Sequence, residues 1–138
     1  MRFEITVDVA APPERVWSIL TDVERLPDLT PSMEHVELLD GPLRRSARAR
    51  VRQPRLAPAV WTVTEFTEHE SFTWESRTAG VTTTGGHLVR PAPGGATLRL
   101  TLVQVGPLAP LLGLLLGRRA RAYVTMEANG VKKAAESA

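Results

Sequence analysis

Residues 7–41 read VDVAAPPERVWSILTDVERLPDLTPSMEHVELLDG, and the changes of hydrophobic period along this stretch decide the fold. It begins inside a run in which Phe3, Ile5, Val7 and Val9 fall on one face and Arg2, Glu4, Thr6 and Asp8 on the other, the period of a half-buried strand. At Pro12 and Pro13 the period lengthens. Proline fits the opening of a helix, Glu14 suits its positive end, and Val16, Trp17 and Leu20 share a side. Asp22 is placed to cap a second short helix, DVERL, which Pro27 is expected to stop. Residues 33–39, MEHVELL, return to strand and close at the turn Asp40-Gly41-Pro42.

Downstream the strand period persists. Residues 46–52 alternate Ala47, Ala49 and Val51 with Arg48, Arg50 and Arg52, which predicts a strand with a cationic outer face. AVWTVTEFT (59–67) and SFTWESR (71–77) predict a hairpin across Glu68–Glu70, with Trp61, Val63, Phe72 and Trp74 pointing inward. Two more strands, 81–91 and 96–105, are joined by PAPGG, read as a loop. A last helix is expected from near Pro107 to about Glu136. Its wheel gathers Arg118, Arg121, Thr125 and Lys132 on one side and Leu112, Leu116, Tyr123, Met126 and Ala134 on the other. The class is therefore α+β: about seven antiparallel strands with one face to bury, and one helix long enough to cover it.

The 138 residues fit a single domain, 1–138. Hydrophobic residues make up 43% and charged residues 23%, the balance of a globular chain. There is no cysteine, which excludes disulfides, thiolate metal sites and thiol nucleophiles. The opening MRFEITVDV lacks the basic and apolar regions of a secretory signal, so a cytoplasmic location is expected. The uncharged run Val105–Gly117 is too short for a bilayer, which takes roughly 20 residues as helix. Net charge is +2, and no nucleic-acid partner is expected without a concentrated basic face carrying reading elements. His35, His69 and His87 lack metal-ligand spacing, and phosphate-binding glycine loops and a Gly-x-Ser-x-Gly elbow are missing. No metal or cofactor is expected.

The order of elements, together with Ala11, Pro12, Val16, Trp17, Asp22, Pro27, Pro31, Val36 and Gly41 and the strand pair PAPGGATLRLTL, resembles the START-like (SRPBCC) superfamily in its polyketide cyclase/dehydrase branch. The resemblance implies a helix-grip fold, a curved sheet wrapped around the long C-terminal helix with a cavity between them for a hydrophobic ligand. The family often carries an aromatic residue beside the proline of the short helix. Leu26 and Leu29 stand here instead, which implies a differently shaped mouth.

Within that frame, Trp61, Val63, Phe72, Trp74, Val89, Leu112, Leu115, Leu116, Arg119, Tyr123 and Met126 are the expected ligand-binding residues. His87, which shares a face with Val89, and Glu65, which alternates with Trp61 and Val63, are the candidate proton-transfer groups; each also reads as an ordinary structural residue. Arg119 either holds an anionic group or snorkels to the rim, and Tyr123 donates either to a ligand or to backbone. Three functions stay open: a binder of a lipid, quinone or polyketide-like molecule; a cyclase or dehydratase using the same cavity; and a surface module docking through Arg48, Arg50 and Arg52. A homodimer or an acidic carrier protein is the possible macromolecular partner. Six leucines between 108 and 116 face a ligand, a partner or a membrane surface.

Overall fold

The alternating N-terminal run forms β1 (Arg2–Val9), with its odd-numbered residues turned inward. The structure, a computed structural model, describes residues 1–137. Helix α1 (Pro13–Thr21) starts from an extended Pro12 and buries Val16, Trp17 and Leu20. A 3-10 turn at Val23–Arg25 leads into α2 (Leu26–Leu29). Pro27 thus sits in the first turn of α2 and does not stop a helix, because the first-turn N–H it lacks has no intrahelical partner anyway.

The remaining strands are β2 (His35–Leu38), β3 (Arg48–Arg52), β4 (Ala59–Thr67), β5 (Ser71–Thr78), β6 (Val81–Ala92) and β7 (Gly95–Val105), followed by α3 (Ala109–Glu136). They form one sheet in the order β1-β7-β6-β5-β4-β3-β2 with every neighbouring pair antiparallel. This is the expected helix-grip arrangement. The PAPGG loop is tighter than its composition suggests: Pro91 and Ala92 still pair with Ala96 and Gly95, leaving only Pro93 and Gly94 to turn. Strand alternation sets the inner face: Phe72, Trp74 and Ser76 from β5, His87 and Val89 from β6, and Leu98, Leu100, Leu102 and Gln104 from β7.

That inner face has two unlike ends. At one, Val9, Leu98, Val89, Phe72 and Val63 join Val16, Trp17 and Leu20 in a filled core. Toward the other, the inward residues become Ser76 and Gln104. Helix α3 matches this polarity. Its second half packs on β1, α1 and α2 through small residues, Ala128, Val131 and Ala135 being buried, and a Cβ on Gly130 would lie 2.5 Å from the Leu29 carbonyl oxygen. Its first half carries Leu112, Leu116, Arg119 and Tyr123, whose bulk holds the helix off the sheet. Met126 and Ala134 were expected on the buried side. Met126 is 38% exposed and Ala134 only half-buried, because the outward leucines at the start of α3 pull the apolar centre of the wheel away from the stripe that packs.

The C-terminal end of α3 is tethered to the end of β1. Lys132 donates to the Asp8 carbonyl and, at 2.9 Å, to Glu136, whose carboxylate also accepts from the Ala10 N–H at 2.8 Å. The Ala10 N–H, then Lys132, holds the Glu136 carboxyl below its ordinary value of 4.5. A depressed carboxyl stabilises the fold above its unfolded value, and that contribution disappears as pH falls through the folded value. Urea titrations should therefore find Glu136→Gln less stable than wild type at pH 7, with the difference shrinking as pH falls below the usual carboxylate range.

Gly130→Ala offers a test of the close end of the grip. In an open helix this change stabilises by about 1 kcal/mol. Here the new methyl meets backbone that cannot rotate away, and equilibrium denaturation should show a loss of roughly 1–3 kcal/mol instead.

Candidate functional site

Between the inner face of the sheet and the first half of α3 lies a cavity of about 340 Å3, within the range of small-molecule sites. Its apolar wall is made by Trp61, Trp74, Leu100, Leu102, Leu112 and Leu116. The rings of Trp61 and Trp74 lie 5.6 Å apart on neighbouring strands, a broad aromatic floor. Exposed Ala57 and Thr78 on the lining place the mouth beside the β3–β4 loop and the end of β5.

Polar groups are set into this wall. His87 is 6% exposed, stacked on Phe72 with ring centroids 3.9 Å apart and edged by Trp74. Its Nδ1 lies 3.1 Å from the Phe72 carbonyl oxygen, which can only accept, so Nδ1 carries the proton of that hydrogen bond. Nε2 then faces Oε2 of Glu127 across 3.5 Å. Two bare acceptors would repel there, so the contact is favourable only when one further proton sits on the imidazole or on the carboxyl. Glu127 Oε2 and Gln104 Oε1 are buried and lack hydrogen-bond partners among the described residues. Nothing in the fold offsets the desolvation of Gln104 Oε1, about 1–3 kcal/mol, and Glu127 Oε2 has only the His87 ring at 3.5 Å.

The predicted residues divide accordingly. Trp61, Trp74, His87, Leu112, Leu116, Arg119 and Tyr123 line the cavity. Tyr123 is already committed: its hydroxyl donates to the Pro54 carbonyl at 2.5 Å, pinning α3 to the β3–β4 loop. Arg119 is half-buried in the wall and makes no ion pair among the described residues. Val63, Phe72 and Val89 lie in the filled core, displaced from the cavity because they stand at the end where α1 plugs the sheet.

Leu115 is 69% exposed on the outer side of α3, and Met126 also faces out. Glu65 was expected inside by alternation with Trp61 and Val63. A bulge between Val63 and Glu65 adds a residue to β4, reverses the alternation and turns Glu65 to solvent. Leu26 is part of the core, and neither it nor Leu29 lines the cavity. In the arginine row, Arg48 is gripped by Asp40 at 2.9 Å and Arg50 pairs with Glu37 at 3.1 Å, so two of the three charges are already neutralised.

Glu127 and Gln104 escaped the sequence reading although both carried a signal. Gln104 continues the period-two series Leu98, Leu100, Leu102, and Glu127 continues the helical stripe Leu112, Leu116, Arg119, Tyr123. In each case the signal is a single polar residue standing on an apolar stripe.

The profile of the family described as "Polyketide cyclase / dehydrase and lipid transport" matches residues 1–136. The chain belongs to that family. Its fold recurs in the Zhui aromatase/cyclase of a Streptomyces species, at 22% identity and a TM-score of 0.79 over 99% of this chain and 93% of that one. It recurs also in the di-domain aromatase/cyclase StfQ of steffimycin biosynthesis, at 14% identity and 0.79 over 98% and 50%. A hypothetical protein from Helicobacter pylori, at 13% identity, superposes with a TM-score of 0.81 over 97% and 86%. At these identities the likeness is one of fold. No curated protein matches the sequence significantly.

In this cyclase/dehydrase-family chain the cavity can be tested by filling it. Leu116→Trp should cut binding of the neutral fluorophore N-phenyl-1-naphthylamine at least tenfold, while Leu114→Trp, two residues away on the outer face, should leave it unchanged.

Proposed function

We propose that this protein binds a small, largely apolar molecule bearing at least one hydrogen-bond donor in the cavity between sheet and α3. The observation that carries the reading is an apolar cavity into whose wall two buried, unpartnered acceptors are built, Gln104 Oε1 and Glu127 Oε2. A fold keeps such groups where something else completes them. Of the lipid, quinone and polyketide-like classes, a hydroxylated polyketide-like compound fits best, since a quinone's carbonyls only accept. Apolar burial against Trp61, Trp74 and Leu116 supplies affinity, and the donor fixes orientation. Native mass spectrometry of protein from its own host, followed by organic extraction, should release a hydroxylated compound. Gln104→Leu should weaken its rebinding about tenfold. Empty protein, with no thermal shift across hydroxylated aromatic compounds, would sink the reading.

A second reading is favoured by the His87–Glu127 contact. A buried imidazole 3.5 Å from a carboxylate, on the wall of a largely apolar cavity, is equipped to protonate or deprotonate a bound carbonyl compound. Cyclisation or dehydration of a polyketide-like chain needs that chemistry: a proton leaves the carbon that attacks, and a carbonyl or departing hydroxyl receives one. With the extracted compound or its ketone precursor as substrate, His87→Gln and Glu127→Gln should each lower kcat by roughly 100-fold or more with binding kept within a few-fold. Unchanged turnover in both variants would leave a binding protein.

A further inference from the structure

The cavity uses only part of the leucine-rich start of α3. Leu112 and Leu116 face inward, but Leu108, Leu111, Leu114 and Leu115 are 49%, 53%, 82% and 69% exposed, and Val105 at the end of β7 adds another exposed apolar side chain. Soluble chains rarely leave so many large aliphatic groups together on one surface without a use for them. One turn further along the helix stand Arg118 and Arg121, both exposed and without an ion pair among the described residues. Acidic residues are absent from Val105 to Met126.

Three occupants could cover such a face, and its chemistry separates them. A second copy of the chain would bring the arginines of both copies together with no acid in the segment to offset them. A folded acidic protein would satisfy the arginines, but a protein interface carries about one hydrogen bond per 100–200 Å2. From Gly106 to Gly117 no side chain can donate or accept one. Hydrocarbon asks for none. Exposed leucines over two helical turns followed by unpaired arginines are the pattern of a helix that rests in the headgroup layer, apolar side chains in the acyl region and cations on anionic lipids.

We propose that the first turns of α3 dock the protein on an anionic membrane surface. Among the described residues no helix is long and apolar enough to cross a membrane, and the contact proposed is peripheral. It depends on the surface alone and holds whatever occupies the cavity.

Sedimentation with sucrose-loaded vesicles, of phosphatidylcholine alone or with one quarter phosphatidylglycerol, tests this directly. Wild type should partition onto the anionic vesicles and fall off as salt rises. Leu114→Ser with Leu115→Ser should lose at least tenfold in partitioning, and Arg118→Gln with Arg121→Gln roughly 20-fold on anionic vesicles only. All four positions are solvent-exposed, so circular dichroism and melting should stay at wild-type values. Wild type that ignores both vesicle types, or variants that bind as wild type does, would overturn the proposal. So would a wild-type dimer in analytical ultracentrifugation that the leucine variants convert to monomer, which would assign the face to a second copy.

Discussion

Where α3 crosses α2, the Leu29 carbonyl oxygen approaches Gly130 so closely that no side chain fits between them. This contact sets the geometry of the grip. A helix of 28 residues laid over a curved sheet cannot touch it everywhere, and here the point of closest approach is fixed near the C-terminal end by a glycine and by Ala128, Val131 and Ala135. The tether of Lys132 and Glu136 to the end of β1 holds the same end. With one end clamped, the other must diverge, and the bulk of Leu112, Leu116, Arg119 and Tyr123 decides by how much. The cavity follows from this wedge, and the Tyr123 hydroxyl on Pro54 braces the open side.

The same wedge explains why polar groups survive inside. At the clamped end every inward position is apolar and α1 seals the sheet, so an orphaned acceptor would displace packing on all sides. Toward the open end Gln104 and Ser76, and farther along α3 Glu127 beside His87, border the cavity instead of close-packed apolar side chains. Their desolvation is still unfavourable, about 1–3 kcal/mol for each unpaired acceptor. Leucine or methionine would fill those places at lower cost. Positions that keep such a cost in a fold otherwise built on regular alternation are where chemistry toward a guest is expected to reside.

Most of the architecture was legible because it rests on period. Strand alternation in β1, β5, β6 and β7, prolines at the helix start and a single long helix are local signals that the tertiary structure reinforces. The site was less legible because it rests on departures from period. One extra residue in β4 was enough to turn Glu65 out, and a bulge leaves no mark in a pattern of Val, Thr and Glu. Val63, Phe72 and Val89 alternate inward as expected, yet periodicity names a face and not the distance along it at which packing ends and a cavity begins. The wheel of α3 failed for a related reason. It assumed that leucines are buried, and those at 111, 114 and 115 are not.

That assumption also conceals how the two faces of α3 relate. Leu112 and Leu116 close the cavity while Leu111, Leu114 and Leu115 stand outside it on the same turns, so one short helical segment presents hydrocarbon in both directions. A segment of this kind gains less burial than the rest of the helix: its outward leucines stay largely in solvent and its inward ones border space. It is held by Ala109, by the Leu108 N–H on the Gly80 carbonyl and by Met1 against Gly117. The clamped half of α3, where Val131 and Ala128 are fully enclosed, is the more densely packed of the two. The mouth lies beside the β3–β4 loop and the end of β5, and His87, stacked on Phe72, stands in the cavity wall. Opening and polar wall thus fall on different elements: the loop and strand end that border the mouth, and the packed strands that carry His87 and Gln104.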